Sequence, residues 1–317
     1  MHLIVPFAGV LSEAGRHTAQ SLSLPSLERL LARTHAGPPE GGDERSLSAP
    51  HEMALARSLG WPTVDGRLPL AARMAAHDGV DTGTRPVGLL TPVHLHLGTE
   101  QVTLTDPDML ALDAADARAL FDALQPLFAD VGFELLWGAP QRWYLVHDSL
   151  ADWPAASLDR VIGRNIDAWL TDAPGPRDAH DKARAAPHLW PRLHSEAQML
   201  LHGHPINEQR EAQGLQSVNS VWLSGSGAPL PASGEEPRFD DRLRSPALSE
   251  DWAAWAEAWH ALDAGPIRQL LEGAEGSVLT LAGERCHRPF ALHHTSTWQR
   301  MRTLWQRSPV HQVLEAL

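Results

Sequence analysis

A single cysteine, Cys286, stands among 317 residues, so no disulfide can close within the chain, and a reducing compartment is expected. No apolar run approaches the ~20 residues that a helix needs to cross a bilayer, and the short apolar stretch at the amino terminus has no basic region before it. A cytoplasmic protein without a signal peptide is therefore expected. Basic charge is also scarce: 26 Lys and Arg stand against 39 Asp and Glu, a formal net charge of -13, with no long Lys or Arg run. A sequence-independent grip on nucleic acid and attachment to an anionic membrane both rely on basic patches, so neither partner is expected. Tyrosine is nearly missing, one residue beside twelve tryptophans and eighteen histidines, an imbalance that composition alone does not convert into chemistry. Apolar residues are plentiful, at 43%, enough for the core of one large domain or two smaller ones. No internal repeat is visible.

The densest local chemistry lies in HPINEQREAQGLQSVNSVWLSGSGAPLP, His204 to Pro231. Leu200 and Leu201 close an apolar helical run that His204-Pro205 breaks, since proline lacks an amide proton and pushes its predecessor out of the α region. Asn207 is placed to cap a short polar helix, Glu208 to Gln213, with Gly214 taking the left-handed conformation after its last turn. Val218 to Leu223 suits a buried strand, which Ser224-Gly225-Ser226-Gly227 ends. Small residues there permit either an ordinary tight exit or close approach of the backbone to a ligand.

Around this segment the pattern is α/β. His2 to Pro6 reads as a first buried strand, with Leu24-Pro25 to Arg33 as the helix after it and Gly37 to Asp43 as a loop. Helices are expected over Pro50 to Leu59, where proline suits the first turn, and over Leu70 to Ala76. Val93-His94-Leu95-His96-Leu97 alternates as a half-buried strand with both histidines on one face. Ala114 to Phe128 is an amphipathic helix, followed by strands at Gly132 to Trp137 and Arg142 to Val146. Pro174 to Pro187 reads as a polar linker before the helix Leu189 to Leu201, and Pro231 to Pro246 as a long loop. Asp251 to Leu262 is a helix with Trp252, Trp255 and Trp259 on one stripe, either core or a partner-binding face. A short helix at Ile267 to Leu271, a strand at Ser277 to Leu281 and a closing helix at Ser296 to Gln306 complete the chain.

Gly88, His94, His96 and Glu100 fit the spacing GxxxxxHxHxxxE with which cupins bind metal. A cupin barrel needs many short strands and a second histidine motif, whereas this sequence is helix-rich and has no such motif. Structural histidines are the expected reading, with no metal.

The opening segment also resembles a family. His204, Pro205, Asn207, Arg210 and Gly214, then Asn219, Trp222, Leu223, Gly225 and Gly227, with Pro229 one place early, are similar to the pattern HPxNxxRxxxG and NxxWLxGxGxxP. That pattern is found in the archaeal-type, cofactor-independent phosphoglycerate mutases of the alkaline phosphatase superfamily. His51 to Pro62 and Gly66 to Ala72 resemble that family's SDxAxLxxLGYDP and tGRgPLEA. Val93 to Leu104, Asp113 to Phe128 and Arg142 to Leu145 resemble the small α+β domain it inserts. The resemblance implies a truncated alkaline-phosphatase-like α/β core with an inserted small α+β domain. The implied division is core in 1–92, insert in 93–150, and in 151–317 the rest of the core with a C-terminal extension.

Active members of that superfamily hold two divalent metals and transfer a phosphoryl group through a serine or threonine. Here the first strand runs into Pro6-Phe7-Ala8-Gly9 instead of a metal-binding Asp-Gly. The nucleophile pattern Gly-Ser-Asp falls on Pro50-His51-Glu52, so His51 and Glu52 are the degenerate nucleophile and metal positions. No Asp-x-x-Gly-His signature follows. Histidine can accept a phosphoryl group, but at a helix start beside an acid it equally serves hydrogen bonding and the helix dipole. Arg67 and Arg210 either hold an anion in what remains of the cleft or are surface arginines. With His204, Asn207, Asn219, Gly225 and Gly227 they form the expected ligand-binding set. Short chains without the metal residues make up the RpfE-type regulatory group, which this sequence resembles. A bacterial, non-catalytic regulatory or binding protein without cofactor is implied, its partners a small anionic ligand and a regulatory protein. The alternative is an active metal-dependent phosphomutase or phosphatase acting on phosphoglycerate-like substrates.

Overall fold

The computed structural model describes residues 1–43, 45–99, 101–171, 186–292 and 309–317. Most of the expected linker Pro174 to Pro187, and the whole of the expected helix Ser296 to Gln306, lie outside them. The first half runs β1 (His2–Val5), α1 (Glu13–Ser21), α2 (Pro25–Leu31), β2 (Thr34–Ala36), β3 (Glu40–Gly41), α3 (Pro50–Ser58), α4 (Leu70–His77), β4 (Val87–Val93), β5 (Leu95–Leu97), β6 (Val102–Leu104), α5 (Ala114–Ala129), β7 (Glu134–Ala139) and β8 (Arg142–Val146). The second half runs α6 (Ala186–His202), α7 (Pro205–Ala212), β9 (Ser220–Gly227), β10 (Arg238–Phe239), α8 (Trp252–Leu262), β11 (Val278–Ala282), β12 (Cys286–Leu292) and α9 (Val310–Glu315). This is an α/β fold with mixed sheets. No helix among the described residues is long and apolar enough to cross a membrane.

The chain divides into two compact units, the first made of residues 1–44, 49–62 and 232–317, the second of 45–48 and 63–231. The expected boundaries at 92/93 and 150/151 do not coincide with these units. The first of them cuts β4, which is hydrogen-bonded to β8 on one side and β9 on the other.

The first unit is built on a sheet ordered β10-β1-β11-β12-β2, with β3 also on β12. β1 runs parallel to β10 and β11, while β12 is antiparallel to its neighbours. Leu3, Ile4 and Val5 are all fully buried, as expected of a strand covered on both faces. Leu27 and Leu30 of α2 pack into the same core as Trp255, Trp259 and Leu262 of α8, which settles the tryptophan stripe as core. The start of α2 has proline in its first turn, and its next two free amides, Ser26 and Leu27, donate to the buried Asp263 carboxylate at 3.1 and 2.7 Å. Several elements here depart from the sequence reading, among them β3, which falls in the expected loop Gly37 to Asp43, β10, which falls in the expected loop Pro231 to Pro246, and α1 and β12, which had no expected counterpart. α1 is a helix with Ser12 as cap, and it buries only Gly15 and Ala19, so it has no run of large apolar residues to betray it. β12 continues through Pro289, whose ring replaces one amide and whose carbonyl accepts from Gly37 at 2.8 Å.

The second unit has an antiparallel sheet ordered β7-β8-β4-β9, and a separate β5-β6 hairpin. Phe121, Leu124 and Phe128 of α5 and Leu193, Ala197 and Leu201 of α6 form one core with Leu90, Trp143, Leu145, Val221 and Leu223 of the sheet. Ala71 and Ala75 of α4 pack with Val87, Leu89, Tyr144 and Val146 in another cluster. Asp78, just after α4, binds Arg142 of β8 at 2.8 and 2.9 Å and accepts from the Tyr144 hydroxyl at 2.6 Å. That pairing with Arg142 holds the Asp78 carboxyl below its ordinary range. β4 stops at Val93, so His94 and His96 do not share one strand. His94 bonds the Ser217 carbonyl at 2.8 Å, whereas His96 is exposed on β5.

Candidate functional site

Residues of the opening segment are largely turned inward. His204 caps α7, its Nδ1 accepting from the Ile206 amide at 3.3 Å, so the cap lies three residues earlier than the Asn207 expected for it. Asn207 is 3% exposed and bridges two elements instead: its amide group donates to the carbonyls of Leu201 and Val218, and its oxygen accepts from Val218 N, each at 2.8 Å. Arg210 is 2% exposed, donating to the Gln216 carbonyl at 3.0 Å, to Asp116 at 3.4 Å and, at short range, to the Leu110 carbonyl. Asn219 pairs with both backbone groups of Leu95, accepting from its amide at 2.7 Å and donating to its carbonyl at 2.9 Å. Ser224 to Gly227 do not end the strand, for β9 runs through them with Gly227 opposite Val87. A Cβ at Gly227 would lie 2.9 Å from that of Pro69, and one at Gly225, where φ is 61°, 3.0 Å from the Ala71 amide nitrogen. The backbone that approaches these glycines is the protein's own. Arg67 differs from this set, since its half-exposed side chain stands 3.8 Å from Asp152.

In the first unit, His51 is 6% exposed, with its ring 5.5 Å from that of Phe7 and 5.9 Å from that of Phe239. Phe7, two residues beyond the end of β1, takes the left-handed conformation, φ 54°, which glycine adopts most easily. Glu52 accepts from the Ala49 amide at 3.1 Å and so serves the start of its own helix. Among the described residues no group of three or more His, Cys, Asp or Glu side chains is arranged to hold a metal ion.

The second unit contains a cavity of about 440 Å³ that the sequence reading did not identify. Its walls include four indoles, Trp153, Trp169, Trp190 and Trp222, together with His194 and Arg45. They come from β9, α6, the short helix Asp167–Thr171 and loops, so no local period reveals them. The surplus of tryptophan was the one available signal. Trp222 spends its indole N–H on the Ala156 carbonyl at 2.9 Å, whereas the Trp169 Nε1 is buried without a hydrogen-bond partner. His194 Nε2 lies 2.8 Å from Ser220 Oγ, and burial pushes the imidazole below its ordinary value, with a backbone bond at Val221 opposing. Serine beside histidine is the geometry of an activated nucleophile, but Ser220 is fully buried and does not line the cavity.

The chain is distantly similar in structure to the cofactor-independent phosphoglycerate mutase of Thermoplasma acidophilum DSM 1728, at 14% identity and TM-score 0.38, covering 100% of this chain and 98% of that one. It is also similar to the PH0037 protein of Pyrococcus horikoshii, at 11% identity and TM-score 0.46, covering 98% and 97% of the two chains. No family model and no curated protein matches it. Likeness at this level says nothing of the chemistry.

Proposed function

We propose that this chain is a non-catalytic binding protein, regulatory in role, with a core and an insert of the phosphoglycerate mutase type and a relationship to the RpfE group. One observation carries the reading. The position that resembles the nucleophile holds His51, buried and in ring contact with Phe7 and Phe239, and the acid beside it serves the helix start. A side chain that is 6% exposed is poorly placed for in-line attack on a phosphoryl group, which requires the nucleophile to reach the reacting atom. Arg210 and Asn207 act as braces of the scaffold, holding α7 to its neighbours. An anion-binding cleft would then depend on Arg67, whose guanidinium reaches solvent.

The test is a turnover assay with phosphoglycerate and with a generic phosphate ester, in the presence of added manganese or zinc, beside His51→Ala. No turnover and no acid-labile phosphoryl label on the protein are expected. Turnover that disappears in His51→Ala would overturn the reading in favour of a metal-dependent phosphomutase or phosphatase. For the cleft, inorganic phosphate should raise the melting temperature, since a ligand of the native state stabilises it by mass action. Arg67→Ala should remove that shift. A shift that survives Arg67→Ala would place any anion elsewhere.

A further inference from the structure

We infer that the tryptophan-lined cavity of the second unit binds an uncharged, apolar aromatic compound of one ring or two fused rings, held by ring contact and burial rather than by hydrogen bonds. The inference rests on the binding reading above and supplies its site and ligand class. Size comes first: about 440 Å³ lies in the lower part of the range of about 300–1,000 Å³ typical of small-molecule pockets. Four indoles on the wall favour a flat, polarizable guest, because stacked and edge-to-face aromatic contacts add to the area buried. Pro154, Ala155, Ala156 and Pro191 add to the apolar wall.

Polar side chains on the wall are largely spent within the protein. The Trp222 indole N–H donates to the Ala156 carbonyl and the Ser195 hydroxyl to the Pro191 carbonyl, each at 2.9 Å. His194 and Gln198 both turn to Ser220 Oγ, at 2.8 and 3.4 Å, and burial favours the neutral imidazole. Arg45 has its own interaction within the chain, and among the described residues no Asp or Glu lines the cavity. The Trp169 Nε1 is closed off from water and so presents no donor to the space. A charged guest would therefore leave water without gaining an unspent counter-charge, and burial of an unpaired charge is costly. Water itself is weakly held in such a space, since an ordered molecule needs about two to four polar partners. An apolar ring displaces it with little loss of hydrogen bonding and gains the contact of the indoles.

The probes are naphthalene and two ions of opposite sign built on it, 2-naphthoate and 2-naphthylmethylammonium, at neutral pH. Binding to the full chain is followed by equilibrium dialysis and by the shift in melting temperature. Naphthalene should bind saturably, and each ion at least tenfold more weakly. Trp153→Ala removes one ring of the wall at a half-buried position, and should weaken naphthalene about three- to tenfold, the worth of one aromatic contact. Ser195→Trp places a large ring on an exposed position of the cavity wall, and should abolish binding while leaving the unliganded melting temperature unchanged. The inference is overturned if naphthalene does not bind saturably, if either ion binds less than tenfold more weakly, or if both variants bind naphthalene as the wild type does. Failure here leaves the absence of turnover intact, and turnover would refute the non-catalytic reading whatever the naphthalene probes do.

Discussion

Both units concentrate tryptophan, and they use it in opposite ways. In the first unit Trp252, Trp255 and Trp259 follow one another along α8, with consecutive rings 5.9 Å apart and edge to face, and the last two are fully buried. In the second, Trp153, Trp169, Trp190 and Trp222 come from separated segments and surround empty space. A helical period gathers side chains on one face, where close packing fills the volume between them. Indoles brought together from four places have no such common lattice, and what they enclose is a cavity. Spacing alone does not decide the matter, since Trp143 stands by itself in the sequence and is fully buried in the core of the second unit; the contrast is between a helical stripe that packs against itself and indoles that four segments bring around one space.

The largest effect that can break this comparison is a truncation on each side of it. Trp255→Ala should cost about 3–5 kcal/mol, because a fully buried ring is removed from a packed core and leaves a void. Trp153→Ala, at a half-buried wall where a void already exists, should cost about 1 kcal/mol. Urea unfolding of the two variants side by side measures the difference. Equal losses would mean that the cavity walls are as tightly supported as the core, and the contrast between the units would be lost.

Gly227→Val should produce an intermediate effect, about 1–3 kcal/mol, through overpacking against Pro69. This substitution asks whether the glycines of β9 are scaffold, like α8, or a surface for a guest, like the cavity. Melting temperature and binding of inorganic phosphate should be read on one sample. Unchanged stability with lost phosphate binding would restore the sequence expectation of a ligand-lining loop.

That expectation shows what was legible in the sequence. Regular periods were read well: α3, α5 and α8 fall within a residue or so of their expected spans, and β8 matches Arg142 to Val146. Elements whose burial rests on small or atypical residues were not legible. α1 buries Gly15 and Ala19, β12 carries a proline, and β9 continues through two glycines that ordinarily signal a break. At the site the limit was of another kind. Asn207 and Arg210 have the side chains of binding residues, and nothing local reveals that Leu201, Val218, Gln216 and Leu110 supply their partners. Polar valence is spent on whatever the fold brings near, which is a long-range property.

The smallest effect concerns protons, and it treats the units alike. Burial lowers the pKa of His194 in the second unit, and of His2 and His287 in the first, from the ordinary 6.5. Each imidazole therefore binds its proton more weakly when folded than when unfolded. Above 6.5 both states are neutral and the full stability is present. As pH falls through 6.5 the unfolded chain takes up protons that the folded chain refuses, so stability declines until the folded-state pKa values are passed, where this contribution levels off. Urea midpoints on either side of 6.5 should record the decline, and His194→Gln should remove its share while leaving that of His2 and His287. A slope unaltered by His194→Gln would mean that the imidazole at the cavity wall is solvated enough to titrate normally. The cavity would then be more open to water than its four indoles imply, and the three histidines would no longer form one class.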